Sequence, residues 1–309
     1  MTDFNITAEI SALLLVSKNN ANVLKWMAYN LLSLSWTNEE HALRLCNGKT
    51  DNYLSLLCSC PYICVKKYDL TNNNEKELFT YLDKGYGVLL PVNTQLLGIT
   101  SKAFYHNVFL FGYRNTEIQV FDFWPPQFRW EPRFWEYAII TEAVNRNLNH
   151  DSTAYVLNNR IDAADDFKLD LLLWDVWIKN YLNEAYDLSS DTVFGVKIYD
   201  CLCQYVMDLK EIYFLDHTIF HNLCEHFKIM DFMFSMMEET LALHTVNVQE
   251  AIRELTSKAM CVRNLSMKYW RQQAKINNDW RHILTDKILQ IKQDEMSLLL
   301  LLKKLEGMN

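Results

Sequence analysis

A histidine and an aspartate on neighbouring predicted strands are the residues best suited to chemistry in this chain. His106 and Asp122 lie in two aromatic and β-branched runs, 104–113 and 118–123, and the short segment between the runs predicts a hairpin. A carboxylate on one ring nitrogen of a histidine fixes its tautomer and lets the other nitrogen act as a base. The two residue types therefore predict acid–base chemistry on this hairpin.

The register of the hairpin decides whether these two side chains can meet. Cross-strand partners share a face, and a three-residue turn would pair Tyr113 with Glu117. His106 would then face position 124 and have Asp122 as its diagonal neighbour, whereas a turn of even length would place them on opposite faces. The chemistry thus requires a turn of three or five residues, or a β-bulge. The alternative is a histidine bonded to a backbone carbonyl and an aspartate that closes its strand.

A nucleophile would complete such a site, and the start of a buried helix is the expected place for it. Free amides and the helix dipole stabilise thiolates and oxyanions at that position. Apolar residues at helical spacing predict a helix over 20–35, which Asn19 or Asn20 would cap. Position 21 is alanine, and the first turn of this helix contains no cysteine.

Composition limits the class of protein. A chain of 309 residues with 50% hydrophobic letters can bury a large core, and 7 glycines and 5 prolines exclude collagen-like and linker-rich proteins. The net charge of −8 disfavours non-specific nucleic-acid binding. The short apolar runs predict no membrane-spanning helix, and the N-terminus predicts no signal peptide. Eight sparse cysteines predict reduced thiols and a cytoplasmic location.

The patterns along the chain predict an α+β domain over 1–150 and a helical domain over 151–309. The polar stretch 151–162 is the predicted boundary. Two further strands are expected over 58–65 and 88–92. The other expected helices are 38–46, 75–84, 134–147, 163–187, 190–208, 212–241, 247–270 and 275–305.

Three segments carry a resemblance to a known family: Leu82 to Leu89, Tyr105 to Tyr113, and Ile118 to Asp122. They resemble papain-like cysteine peptidase folds, and in particular the butirosin-type acyltransferase family. That family's pattern is Leu-x-x-Gly-x-x-Val, then His-x5-Gly-Tyr, then a strand that ends in Asp. The stretches 193–200 and 223–227 are similar to the family's helical second half. The resemblance covers most of the chain and implies a papain-like catalytic domain followed by a helical domain.

The family nucleophile is a cysteine in an Asn-Cys pair that opens the first long helix, and Asn20-Ala21 stands at that place. The resemblance therefore implies a catalytic set of Ala21 (the position of the missing cysteine), His106 and Asp122, with Asn19 and Asn20 as oxyanion or substrate ligands. Either the natural protein has lost its nucleophile, or a cysteine-to-alanine change was introduced. The retained histidine and aspartate favour an introduced change.

The resemblance implies an amide-forming acyltransferase of natural-product biosynthesis, of the kind found in closthioamide assembly. An acyl group would pass from a carrier-protein thioester, through a cysteine acyl-enzyme, to a small amine or diamine. No cofactor is implied beyond the carrier's phosphopantetheine arm. Docking an acidic carrier would need a basic patch, for which the candidates are Lys66 with Lys67, and Arg129 with Arg133.

Several alternatives remain open from the sequence. The same fold could serve a peptidase or thioesterase, or a binding protein without catalytic activity. Two groups of residues, His217 with His221 and Cys58, Cys60 with Cys64, have only weak metal-site spacing, so no metal is expected. The leucines at 298–302 could seal a helical bundle or a homodimer.

Overall fold

The structure is a computed structural model of the whole chain, and it describes a defined set of residues. These are 7–17, 20–46, 52–70, 75–99, 105–124, 129–145, 153–160, 166–168, 171–183, 192–212, 215–241, 246–272 and 279–306. The protein is α+β, with two antiparallel sheets and a helical C-terminal half. It divides into two compact units, the first formed by 1–26 and 52–166 and the second by 27–51 and 167–309.

The elements are numbered in chain order. The strands are β1 Ser33–Thr37, β2 Ala42–Cys46, β3 Ile63–Asp69, β4 Gly87–Asn93, β5 Tyr105–Arg114, β6 Glu117–Trp124, β7 Arg129–Glu136, β8 Thr153–Asn159 and β9 Thr192–Phe194. The helices are α1 Ala8–Val16, α2 Ala21–Asn30, α3 Tyr53–Ser59, α4 Glu75–Asp83, α5 Tyr137–Asn145, α6 Leu171–Asn183, α7 Ile198–Asp208, α8 His217–Leu241, α9 Val246–Arg271 and α10 Trp280–Glu306.

The first unit is built on a six-stranded antiparallel sheet in the order β3-β8-β4-β5-β6-β7. Successive side chains of a strand point to opposite faces, and the even-numbered residues of β4 and β5, such as Val88 and Val108, pack in a core with α4 and α5. Helix α1 lies against β4, β5 and β8. At Gly87 an added Cβ would lie 2.7 Å from Val16 Cγ2, so glycine allows the end of α1 to approach the sheet.

The second unit combines a three-stranded sheet, in the order β2-β1-β9, with the helices α6 to α10. Among these helices α8 packs on α9, and α10 packs on both α9 and α7. Gly195 has a φ of +69°, and a Cβ there would lie 2.1 Å from the carbonyl oxygen of Tyr181, so only glycine fits this turn. None of the helices described is both long enough and apolar enough to cross a membrane.

Several segments differ from the sequence-based expectation. The helix predicted over 38–46 is instead a turn followed by strand β2, in which buried Leu43 and Leu45 alternate with half-buried Arg44. The predicted strand over 58–65 begins with the last turn of α3. The predicted helix over 134–147 begins as the end of β7, because the side chains of 131–136 alternate in exposure, and becomes α5 only from Tyr137.

The division of the chain also differs from a single boundary near residue 150. The polar stretch 151–162 contains β8, which pairs with β3 and β4 inside the sheet of the first unit. Conversely, β1 and β2 belong to the helical unit, because β1 pairs with β9 there. In both units the strands that pair are far apart in sequence. A local change in amino-acid composition therefore does not indicate where one unit ends and the other begins.

Candidate active site

His106 and Asp122 are joined by a hydrogen bond between His106 Nε2 and Asp122 Oδ2, at 2.6 Å. The Asp122 side chain is 1% exposed, whereas that of His106 is 31% exposed. The aspartate therefore faces the protein interior, and part of the imidazole reaches the surface. With Nε2 directed at the carboxylate, Nδ1 lies on the other side of the ring, which is the arrangement a general base requires.

A β-bulge brings these two residues to one face. The turn between β5 and β6 has two residues, because Arg114 pairs with Glu117. The register then shifts between Leu110 and Gly112, and beyond the shift Phe109 pairs with Phe121. The extra residue at the bulge offsets the even turn. The structure thus satisfies the second of the two conditions derived from the sequence, a bulge rather than an odd turn.

The electrostatic surroundings favour the protonated form of His106. Burial lowers the pKa of its imidazole, but the hydrogen bond and negative charge of Asp122, together with the charge of Glu9, outweigh that effect and raise the pKa above its ordinary value. The ring can therefore accept a proton more readily than an isolated histidine, and it can hold that proton against a carboxylate.

Helix α1 packs on the face of the sheet opposite to this pair, and the charge of Glu9 in its first turn acts on His106. Glu9, in its first turn, accepts a hydrogen bond from Asn107 Nδ2 at 3.0 Å. At the other end of α1, Val16 lies next to Gly87. Pro91 of β4 pairs with Asn107, and Gly87 is four residues away, about 13 Å along the strand. Helix α1 therefore runs along the face of the sheet opposite to His106, with its first turn at Asn107 and its last turn at Gly87.

Ala21 opens α2 as expected, but the described contacts do not join it to His106 or Asp122. The backbone N–H of Asn20 donates to the carbonyl of Ser17 at 3.0 Å, which keeps Ala21 close to the end of α1. That end is the one remote from His106. The described backbone contact beside Ala21 is thus with the end of α1. Any catalytic role of position 21 stays a prediction.

The two asparagines predicted as oxyanion ligands have different outcomes. The side-chain oxygen of Asn20 accepts from the backbone N–H of Asn22 at 2.9 Å, which caps the first turn of α2. The carboxamide oxygen of Asn20 therefore stabilises the start of α2. Asn19 lies outside the described residues.

The positions of the cysteines bear on the missing nucleophile. All eight lie in the described part of the chain, and none is in α1, α2 or β5. In the first unit, burial raises the pKa of Cys60 to about 11, against two weaker backbone hydrogen bonds that lower it, so this thiol remains protonated. Cys64 is on edge strand β3, three strands from β5, or roughly 14 Å. No contact described within the first unit joins a cysteine to the His106–Asp122 pair.

Sequence reasoning missed α1, whose first turn bonds Asn107 next to His106 in the chain. The available signal was Thr7 before the apolar segment 8–16, since threonine is a favoured N-cap. The structure shows this cap: Thr7 Oγ1 accepts from the backbone N–H of Ile10 at 3.4 Å.

Within the described residues no three His, Cys, Asp or Glu side chains are grouped to hold a metal ion. Comparisons with protein-family models and with curated proteins give no match to this chain.

Proposed function

We propose that this protein has a papain-like fold and transfers an acyl group from a carrier-bound thioester to a small amine. The observation that carries the proposal is the hydrogen bond between half-buried His106 and buried Asp122. An antiparallel sheet that bears this pair on adjacent strands supports the fold assignment. The helical second unit would then correspond to the family's helical half.

The proposed reaction does not require a cysteine. The amine nitrogen attacks the thioester carbonyl while His106 Nδ1 accepts the amine proton, so that a C–N bond forms. The C–S bond then breaks, and the imidazolium returns the proton to the leaving thiolate. Asp122 orients the ring and stabilises its protonated form. Amine and thioester are converted to amide and thiol, with no intermediate on the protein.

A direct test uses acyl thioesters of N-acetylcysteamine, with and without a diamine. Amide and free thiol are measured by mass spectrometry and a thiol reagent. We expect amine-dependent amide formation, and His106→Ala should reduce its rate about 100-fold or more, the usual contribution of a general base. His282→Ala is the matched control, since His282 is an exposed histidine on α10. Free acid released equally with and without amine would instead identify a hydrolase.

A second candidate is a binding protein of the same fold without catalysis. The observation in its favour is that no cysteine of the first unit is described in contact with the pair. Ala21→Cys separates the covalent route from both proposals. Because no described contact joins residue 21 to His106, we expect no acyl-enzyme in its intact mass. An acyl adduct on the introduced thiol would restore the covalent mechanism, whereas thioester binding without turnover in every variant would support the binding protein.

A further inference from the structure

His106 lies in a part of the sheet where β5 has a neighbouring strand on one side only. Within the described residues, 105–108 pair with β4 but not with β6, whose pairing with β5 ends at Phe109. The partner segment of β4, 90–93, in turn pairs with β5 alone, because β8 pairs only with 87–89. The two segments form a ribbon of two strands, which is at best marginally stable without further contacts. The position of His106 therefore depends on what holds this ribbon in place.

Side-chain hydrogen bonds hold the ribbon from both faces of the sheet. On one face His106 bonds the Asp122 carboxylate. On the opposite face the next residue, Asn107, donates through Nδ2 to Glu9 Oε1 at 3.0 Å. Glu9 is half-buried in the first turn of α1, where the helix dipole stabilises a negative charge. Two consecutive residues of β5 are thus anchored to different elements, β6 and α1.

Helix α1 can serve as a fixed support for this contact. It has a threonine N-cap, most of its residues are buried, and it packs on β4, β5 and β8. Val16 at its other end lies against Gly87. Because the helix is held at both ends, the Glu9 carboxylate has little freedom to follow a displacement of Asn107. It therefore restrains the backbone of β5 at the residue next to His106.

Glu9 also acts on the imidazole through its charge. Burial lowers the pKa of His106, but the hydrogen bond and charge of Asp122, and after them the charge of Glu9, raise it above its ordinary value. Glu9 is the only charged residue in the sequence of α1, and β4 has none. The other charged groups described on elements packed against β5 have other neighbours: Glu117 pairs with Arg114 at the hairpin turn, and on α4 Glu77 bonds Tyr68 and Asp83 bonds Tyr113.

We propose that Glu9 is a positioning residue of the proposed active site, which acts through its hydrogen bond to Asn107 to hold the His106 imidazole against Asp122. This inference rests on the proposed function and adds a residue on the opposite face of the sheet, which does not touch the substrate. The positioning requires a hydrogen-bond acceptor at residue 9, whereas the effect on proton affinity requires a negative charge there. The two effects can therefore be separated by substitution.

Three single variants make this separation. Glu9→Gln removes the charge and keeps a side-chain oxygen that can accept from Asn107. Glu9→Ala removes both the charge and the acceptor, and Asn107→Ala removes the hydrogen bond while the charge stays. Glu77→Gln is the matched control, because Glu77 is an exposed carboxylate of the same unit that also accepts a hydrogen bond, from the Tyr68 hydroxyl. Thermal melting checks that each variant is folded; if Glu9→Ala is not, Asn107→Ala and Glu9→Gln suffice for the test.

The first measurement is amide formation from the N-acetylcysteamine thioester and a diamine, across the pH range in which histidine titrates. We expect kcat on its plateau to fall about tenfold or more in Glu9→Ala and Asn107→Ala, with KM within about twofold, because a displaced base transfers protons slowly. Glu9→Gln should keep the plateau, and its pH profile should move to lower pH, since loss of the negative charge lowers the pKa of His106. A Glu9→Ala, Asn107→Ala double variant should be no slower than Glu9→Ala, because both residues act through one hydrogen bond.

The second measurement needs no turnover. Hydrogen exchange of the amides of 105–108 should become faster in Glu9→Ala and Asn107→Ala and stay unchanged in Glu9→Gln and Glu77→Gln. If the wild type forms no amide, the proposed function fails, and the exchange rates alone decide the role of Glu9. Amide formation with the wild-type kcat in both Glu9→Ala and Asn107→Ala would overturn the positioning role and leave the function intact. Exchange of 105–108 at the wild-type rate in these two variants would overturn it as well.

Discussion

At His106 the two sides of the imidazole face different surroundings. Nε2 meets a carboxylate that is 1% exposed, while about a third of the histidine side chain is accessible. A buried carboxylate cannot be solvated by water, so it depends on its hydrogen-bond donor. The carboxylate therefore keeps its hydrogen bond to the imidazole, and a substrate can reach the exposed part of the histidine side chain.

The charge on Asp122 should set the titration of His106. In Asp122→Asn the hydrogen-bonded carboxylate charge is lost while burial remains, so the pKa of His106 should fall. Glu9→Gln should lower it less, because Glu9 acts through charge alone. NMR titration of the histidine ring protons measures both shifts, with exposed His282 as the internal control. An unchanged His106 pKa in Asp122→Asn would contradict the geometry described here.

The same shift determines how the pair contributes to stability. A raised folded-state pKa means that the contribution is fully present below the unfolded-state value near 6.5 and is lost as pH rises through the folded-state value. The free energy of unfolding should therefore differ more between wild type and His106→Gln at acidic than at alkaline pH. Chemical denaturation at several pH values measures that difference. If the difference in the free energy of unfolding between the two proteins instead grew with pH, a raised folded-state pKa of His106 would be contradicted.

At the scale of elements, the hairpin was predictable and its bulge was not. Aromatic and β-branched residues in two runs specify β5 and β6. The register shift between Leu110 and Gly112 depends on which side chains the core accepts, which is a tertiary property. The position of α1 was hidden for a similar reason. Its residues are almost uniformly apolar, so no amphipathic pattern indicates which face meets the sheet.

The contact of α1 with the sheet should be sensitive to Gly87. A Cβ at this position would lie 2.4 Å from the ring of Phe109 and 2.7 Å from Val16. Gly87→Ala should therefore lower the free energy of unfolding by about 1–3 kcal/mol, the usual cost of overpacking. Gly112→Ala is the control, since the nearest atom there is at 3.6 Å. Equal stability of the two variants in urea denaturation would show that α1 does not press on Gly87.

At the scale of the whole molecule, the second unit is organised around a buried carboxylate. Glu295 of α10 is 0% exposed and accepts hydrogen bonds from the hydroxyl of Tyr199 on α7 and from His226 Nε2 on α8, the latter at 2.8 Å. Burial, reinforced by the charge of Glu295, raises the pKa of Tyr199 well above its ordinary value, so its hydroxyl remains a donor. Single polar residues in three separate helices do not reveal this arrangement in sequence.

Removal of this carboxylate should destabilise the helical unit strongly. Glu295→Ala leaves His226 and Tyr199 buried without their shared acceptor, a loss of about 3–5 kcal/mol in the free energy of unfolding. Glu295→Gln should cost less, because the carboxamide oxygen can still accept one of the two bonds. Glu254→Ala is the control; its side chain is 64% exposed and paired with Lys258, and such surface pairs contribute about 1 kcal/mol or less. Hydrogen exchange of the α7, α8 and α10 amides locates the effect. If Glu295→Ala and Glu254→Ala were equally stable, three helices would be held together by apolar packing alone, and the buried carboxylate would have no part in fixing their arrangement.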